Sequence, residues 1–121
     1  MGGMTDQNTT AHSSLPHHKL LAYQVAVELL LAVKAANVRD AKLRDEATRA
    51  AKSACLNAAE GAGRVTRADK ARAFAVARAE ACEAAAAVEI AIAAGDADAA
   101  ALGPVLRHAD AFVAMMTRLI R

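Results

Sequence analysis

The sequence predicts an all-α protein, an antiparallel up-down-up-down four-helix bundle. Ala, the strongest helix former, fills 35 of the 121 positions, and aromatic residues make up only 2%. Aromatic and β-branched residues are the ones that strands favour, so their scarcity argues against a β-sandwich or barrel. Only two prolines interrupt the chain, which favours long helices. We expect a flexible tail over residues 1–16 and one bundle domain over residues 17–121.

The first helix is predicted over about residues 18–36, with Pro16 well placed to start it. Its polar positions, Gln24, Glu28 and Lys34, lie close to one narrow stripe, and apolar residues cover nearly everything else. A helix that is apolar most of the way round must be buried on more than one side. A single small bundle covers only one side, so this helix predicts self-association.

The second helix is predicted over about residues 38–60. Asn37 is expected to cap it, because Asp40 follows three residues later in the spacing of a capping box. Gly61 and Gly63 are expected to stop it, because glycine tolerates the left-handed conformation found at helix ends.

The third helix is predicted to open at Thr66, with Asp69 as the acidic partner of its first turn, and to stop at Gly95. The fourth helix is expected to be capped by Asp96 or Asp98 and to run towards the end of the chain. A kink or a short separate turn is expected at its Gly103-Pro104 pair.

The hairpin of the second and third helices predicts which side chains face each other. If the two helices meet around Gly63, Arg44 faces Glu83, and Glu60 pairs with Arg67 or Arg64. In the same register Cys55 and Cys82 are displaced by roughly 15 Å along the axis, too far for a disulfide. Unpaired cysteines suit a reducing compartment, and no apolar segment is long enough to span a bilayer, so we expect a cytoplasmic protein with no membrane contact.

One segment has a familiar pattern, Asn57-Ala58-Ala59-Glu60-Gly61-Ala62-Gly63-Arg64. It resembles the N-x-A-E-G-x-G-R signature of the bacterial four-helix bundle proteins encoded in intervening sequences of 23S ribosomal RNA genes, once called S23 ribosomal proteins. Shorter matches follow in order along residues 17–121. They are His18-Lys19-Leu20, Tyr23-Gln24, Arg49-Ala50-Ala51 with Ser53, Phe74 with Ala77-Arg78 and Glu83, and Met115-Met116 with Leu119.

The chain departs from the family pattern at Ala79-Glu80, where relatives usually carry Gly-Ser, and its first link lacks the usual Phe-Pro. The resemblance implies a four-helix bundle that assembles as a homopentamer. It also implies that the motif residues have structural or binding roles. These residues are Asn57, Glu60, Gly61, Gly63, Arg64, Arg78 and Glu83.

Basic residues concentrate between residues 39 and 80, where ten Lys and Arg stand against six acids. Repeated around a ring, this excess could attract the phosphate backbone of RNA or DNA; the alternative is an ordinary solvated face. No aromatic residues interleave the cations, so binding would be led by the backbone and sensitive to salt. The candidate nucleic-acid-binding residues are Arg49, Lys52, Arg64, Arg67, Lys70 and Arg72.

No catalytic motif is present, and we expect no enzymatic activity, no cofactor and no metal. The histidines His12, His17, His18 and His108 lack metal-ligand spacing, and Glu80, Glu83 and Glu89 lack the Glu-x-x-His motifs of di-iron bundles. The sequence therefore favours a non-enzymatic, oligomeric adaptor that binds nucleic acid or a protein that processes it. The alternative is a purely structural or protein-binding scaffold.

Overall fold

The computed structural model describes residues 15–121, and all regular structure within them is helical. The four α-helices are α1 (Leu21–Ala35), α2 (Ala41–Gly63), α3 (Arg67–Ala93) and α4 (Leu102–Ile120). Two 3-10 turns, Pro16–Lys19 and Ala99–Ala101, precede α1 and α4. The prediction of an all-α chain with four helices is confirmed. The predicted tail lies outside the described residues except for its last two.

The core is built mainly from alanine. Every buried residue in the described part of the chain is apolar. The largest fully buried side chains are Phe112, Leu29, Met116, Val88 and Val105. Small residues at most other core positions let neighbouring helices approach closely. α1 and α3 each pack against both α2 and α4, and α2 and α3 share the most extensive contact.

α1 begins later than predicted. Leu20 has an extended backbone (φ −93°, ψ 110°), which separates α1 from the preceding 3-10 turn. Pro16 therefore starts that turn and not α1. α1 buries one face, yet Leu21 and Leu31 on its outer stripe remain 62% and 60% exposed.

α2 is capped by Asp40 and not by Asn37. The Asp40 side chain accepts a hydrogen bond of 2.9 Å from the Leu43 backbone N–H, the bond that an N-cap residue makes. Asn37 adopts a left-handed conformation (φ 54°) in the link that follows α1. The prediction took Asn37 as the cap, whereas Asp40 is the cap, so α2 begins three residues later than expected.

The end of α2 also differs from the prediction. Gly61 and Gly63 both lie inside the helix, and Gly95 is the one described glycine with a positive φ, at 82°. The turn to α3 is therefore made by residues 64–66. Thr66 opens α3 as predicted, since its hydroxyl accepts a 3.1 Å hydrogen bond from the Asp69 backbone N–H.

The link between α3 and α4 contacts the link between α1 and α2. The backbone N–H of Arg39 donates to the Asp96 carbonyl at 2.7 Å, and its guanidinium donates to the Gly95 carbonyl at 2.8 Å. The expected separate turn is present at residues 99–101, just before Gly103-Pro104 in the first turn of α4. Neither Asp96 nor Asp98 caps α4, because this turn intervenes and Ala101 precedes the helix.

Candidate functional site

A network of charged side chains joins α2 to α3 on one exposed face. Arg49, at its centre, donates hydrogen bonds to three carboxylates. The distances are 2.8 Å to Glu46 on its own helix, and 3.2 Å and 2.8 Å to Glu80 and Glu83 on α3. Because one guanidinium bridges both helices, the network links α2 to α3 on this face.

Two polar residues of α2 continue the network towards the turn. The Ser53 hydroxyl donates to Glu80 at 2.9 Å. The Asn57 side-chain amide donates to the Ser53 carbonyl at 2.9 Å and to its hydroxyl oxygen at 3.1 Å. Asn57 therefore bonds within α2 and not to the backbone of the turn. The family-motif residues Asn57 and Glu83 thus belong to one hydrogen-bonded row.

The predicted pairing of Arg44 with Glu83 is wrong. Arg44 donates instead to the backbone carbonyls of Val38 and Arg39. Glu83 forms its ion pair with Arg49. The cause is the length of α2, which continues to Gly63 and moves the centre of the hairpin along the chain. The pairing of Arg49 with Glu46 could have been predicted from the sequence, since residues three apart share a helix face.

The network carries more negative than positive charge, three carboxylates around one guanidinium. The hydrogen bond from Arg49 is the main cause that lowers the pKa of Glu46 and of Glu80, and the Ser53 hydroxyl assists at Glu80. The same bonds raise the pKa of Arg49. Glu46, Glu80 and Arg49 therefore stay ionised at neutral pH. A phosphate approaching Arg49 meets this excess of carboxylates, so we expect Arg49 to attract nucleic acid less than an unshielded arginine would.

Gly61 allows a close contact between α2 and α3. A Cβ atom at this position would lie 2.5 Å from Cε1 and 2.6 Å from Cδ1 of the Phe74 ring, which is buried. At Gly63 an added Cβ would meet nothing within 4 Å. The two motif glycines thus differ, and only Gly61 is required by packing.

The carboxyl end of α2 is surrounded by charged side chains. Glu60 pairs with Arg64, four residues later, which confirms one of the two partners predicted for it; Arg67 makes no such pair. The Lys70 ammonium donates to the carbonyls of Gly61 and Ala62 at 3.3 Å and 3.0 Å. Lys70 therefore helps to cap the carboxyl end of α2, where the Gly61 carbonyl also accepts a hydrogen bond from the Arg64 backbone N–H.

The other candidate cations occupy different places. Lys52 is exposed on α2, and Arg67 and Arg72 are exposed on the first turns of α3. Arg72 approaches Asp69 at 3.4 Å, with its own side chain 77% exposed. Arg78 lies away from this group, because it donates to the Thr117 hydroxyl on α4 at 2.9 Å. Arg78 therefore joins α3 to α4 rather than lining the face shared by α2 and α3.

The possible metal ligands and the two cysteines are further candidates for chemistry among the described residues. Across residues 15–121 no three His, Cys, Asp or Glu side chains are grouped so that they could hold a metal ion, and His12 lies outside that range. Cys55 is buried and Cys82 exposed, and both are free, as predicted. Burial raises the pKa of the Cys55 thiol, which makes it less reactive. No helix between residues 15 and 121 is both long and apolar enough to cross a membrane.

Comparison with models of protein families identifies the family of this chain. The family model described as 23S rRNA-intervening sequence protein matches residues 18–118, nearly the whole described chain. No curated protein matches the sequence. The matched range includes the Arg49 network, the Gly61 contact and the cations around the turn between α2 and α3.

Proposed function

The chain belongs to the 23S rRNA-intervening sequence protein family, and from that premise we propose that it is a non-enzymatic, cytoplasmic RNA-binding adaptor. The binding surface in this proposal is the turn surface, defined as Arg64, Arg67 and Arg72. All three side chains are exposed at the junction of α2 and α3. The observation that carries the proposal is Arg67, an exposed guanidinium at the start of α3 that forms no ion pair with an acid among residues 15–121.

Backbone contacts would dominate such binding. Arginine donates to phosphate oxygens in a planar fork, which suits recognition of a sugar-phosphate backbone. Aromatic stacking is not available at the turn surface, since its one nearby ring, Phe74, is buried. Affinity would therefore depend on counterion release and fall steeply with salt.

Self-assembly into a homopentamer is the second part of the proposal, and each subunit is taken as an up-down-up-down bundle. Short links, such as residues 64–66, support antiparallel neighbours. Support for assembly comes from the exposed Leu21 and Leu31, which one copy of the chain leaves in water. A ring would repeat the turn surface around its axis and raise the avidity for a long backbone.

The binding proposal is tested by fluorescence anisotropy with a labelled RNA of fixed length at about 50 and 200 mM salt. Each phosphate contact should contribute roughly 0.7 to 0.9 to the slope of log affinity against log salt. Arg67→Gln with Arg72→Gln should lower that slope, while Lys42→Gln, an exposed lysine at the other end of α2, should not. Absence of RNA binding at the lower salt concentration would refute the proposal.

The competing function is a structural or protein-binding scaffold without a nucleic-acid role. The α2–α3 network supports it, because the carboxylates around Arg49 could meet a basic protein partner. Native mass spectrometry distinguishes assembly from binding. A single-subunit mass at micromolar concentration would refute the pentamer, and a pentamer that ignores RNA would favour the scaffold.

A further inference from the structure

One end of the molecule carries an unusual share of the positive charge. The start of α1, the end of α2, the start of α3 and the end of α4 meet there, since Lys19, Ala62, Lys70 and Leu119 line one shallow depression. Seven of the 15 Lys and Arg lie at this end. The chain has 13 Asp and Glu, and among the described ones only Glu60 and Asp69 lie there. We call it the basic end. Its seven cations are Lys19, Arg64, Arg67, Lys70, Arg72, Arg118 and Arg121.

The cations come from separate elements and surround the end rather than following one groove. Lys19 lies on the 3-10 turn before α1, the turn surface lies between α2 and α3, and Arg118 with Arg121 lies at the end of α4. Arg118 also lines a groove with Leu21 and Leu119 beside the start of α1. Lys19, Arg118 and Arg121 are exposed and pair with no acid in the described chain.

This arrangement of cations favours double-stranded over single-stranded nucleic acid. Proteins that bind single strands without sequence preference combine one charged groove with aromatic stacking platforms. At the basic end Phe74 is buried, and the ring of Tyr23 is packed edge-on against His17 at a centroid distance of 4.8 Å. A duplex instead presents two rows of phosphates on either side of a groove, which cations on opposite sides of a surface can engage together.

We propose that the whole basic end, including Lys19, Arg118 and Arg121, binds the backbone of double-stranded RNA. This inference rests on the proposed function and extends its surface from the turn between α2 and α3 to all four helices. Exposed apolar side chains at this end, Val65 at 92% and Leu119 at 41%, make an anionic membrane the competing ligand. The family match favours RNA.

The test compares two triple variants of the full chain that remove the same charge. Lys19→Gln/Arg118→Gln/Arg121→Gln changes the basic end, and Lys34→Gln/Lys42→Gln/Arg107→Gln changes exposed cations elsewhere. Binding of a duplex RNA and of a single-stranded RNA of equal length is measured over a salt series. Vesicles of phosphatidylcholine with phosphatidylserine form a third arm, and thermal melting verifies that both variants fold.

We expect the duplex to bind more tightly than the single strand. The basic-end variant should lose about tenfold or more in affinity near 100 mM salt, with a slope lower by about 2 to 3, while the other variant changes little. Equal losses in both variants, or stronger binding of the single strand, would overturn the inference and leave the proposed function standing. Binding to vesicles without binding to either RNA, or no RNA binding at all, would overturn both. Should the basic-end variant melt early, the singles Lys19→Gln and Arg121→Gln replace it, each expected to lower the slope by about 0.9.

Discussion

Replacing Gly61 with alanine tests how closely α2 and α3 must approach. The added Cβ would lie 2.5 Å from Cε1 of Phe74, well inside van der Waals contact, and the ring is buried among core residues. Overpacking of this kind costs about 1 to 3 kcal/mol. Alanine also gains up to about 1 kcal/mol of helix propensity over glycine, and less in a last turn. We therefore expect Gly61→Ala to reduce the free energy of unfolding by roughly 1 to 2 kcal/mol.

Gly63→Ala is the matched control, since its Cβ would meet nothing within 4 Å. It should be neutral or slightly stabilising. Thermal melting at one fixed protein concentration measures both variants, because self-association would make the melting temperature depend on concentration. The expected difference between them is about 4 °C or more. In a Phe74→Leu background the penalty at Gly61 should shrink, which a double-mutant cycle would quantify. If Gly61→Ala melts at or above Gly63→Ala, the packing argument is wrong.

Two further predictions concern charge and capping. The lowered pKa values of Glu46 and Glu80 contribute stability that is present above their ordinary value of 4.5 and is lost as the pH falls through the lower folded values. Arg49→Gln should therefore lose less stability than the native chain between about pH 6 and pH 3 in urea unfolding, and equal losses would contradict the network. Asp40→Ala should destabilise the chain by about 1 kcal/mol through loss of its bond to Leu43, while Asp45→Ala, inside the same helix, should cost less; equal costs would show that Asp40 is not the cap.

Local signals in the sequence predicted most elements of the fold. High alanine content, few prolines and the Thr66 cap indicated helices without reference to any partner helix. Asn37 and Asp40 both favour helix caps, so the sequence could not decide which of them takes the position. That choice depends on the link, where Val38 is buried and the Arg39 backbone bonds to Asp96.

The candidate site depended more strongly on packing between helices. Glycine is typical of helix ends, so the sequence predicted that Gly61 stops α2. Only the nearby Phe74 ring shows that Gly61 instead lets α2 and α3 pack closely. Once α2 continued through both glycines, the register of the hairpin changed, and Glu83 paired with Arg49 instead of Arg44. From the sequence Arg49 was a candidate phosphate ligand. In the structure it binds three carboxylates, and two of them come from another helix, α3.

The sequence by itself determined the helical class, the number of helices and the family, because propensity, caps and motifs are properties of short segments. Only the tertiary structure decided which charges are neutralised and which face solvent together. Lys19, Arg67 and Arg121 are far apart in the chain and reach one end of the molecule because the helices pack side by side. Electrostatic attraction depends on distance in space, and that distance is set by packing.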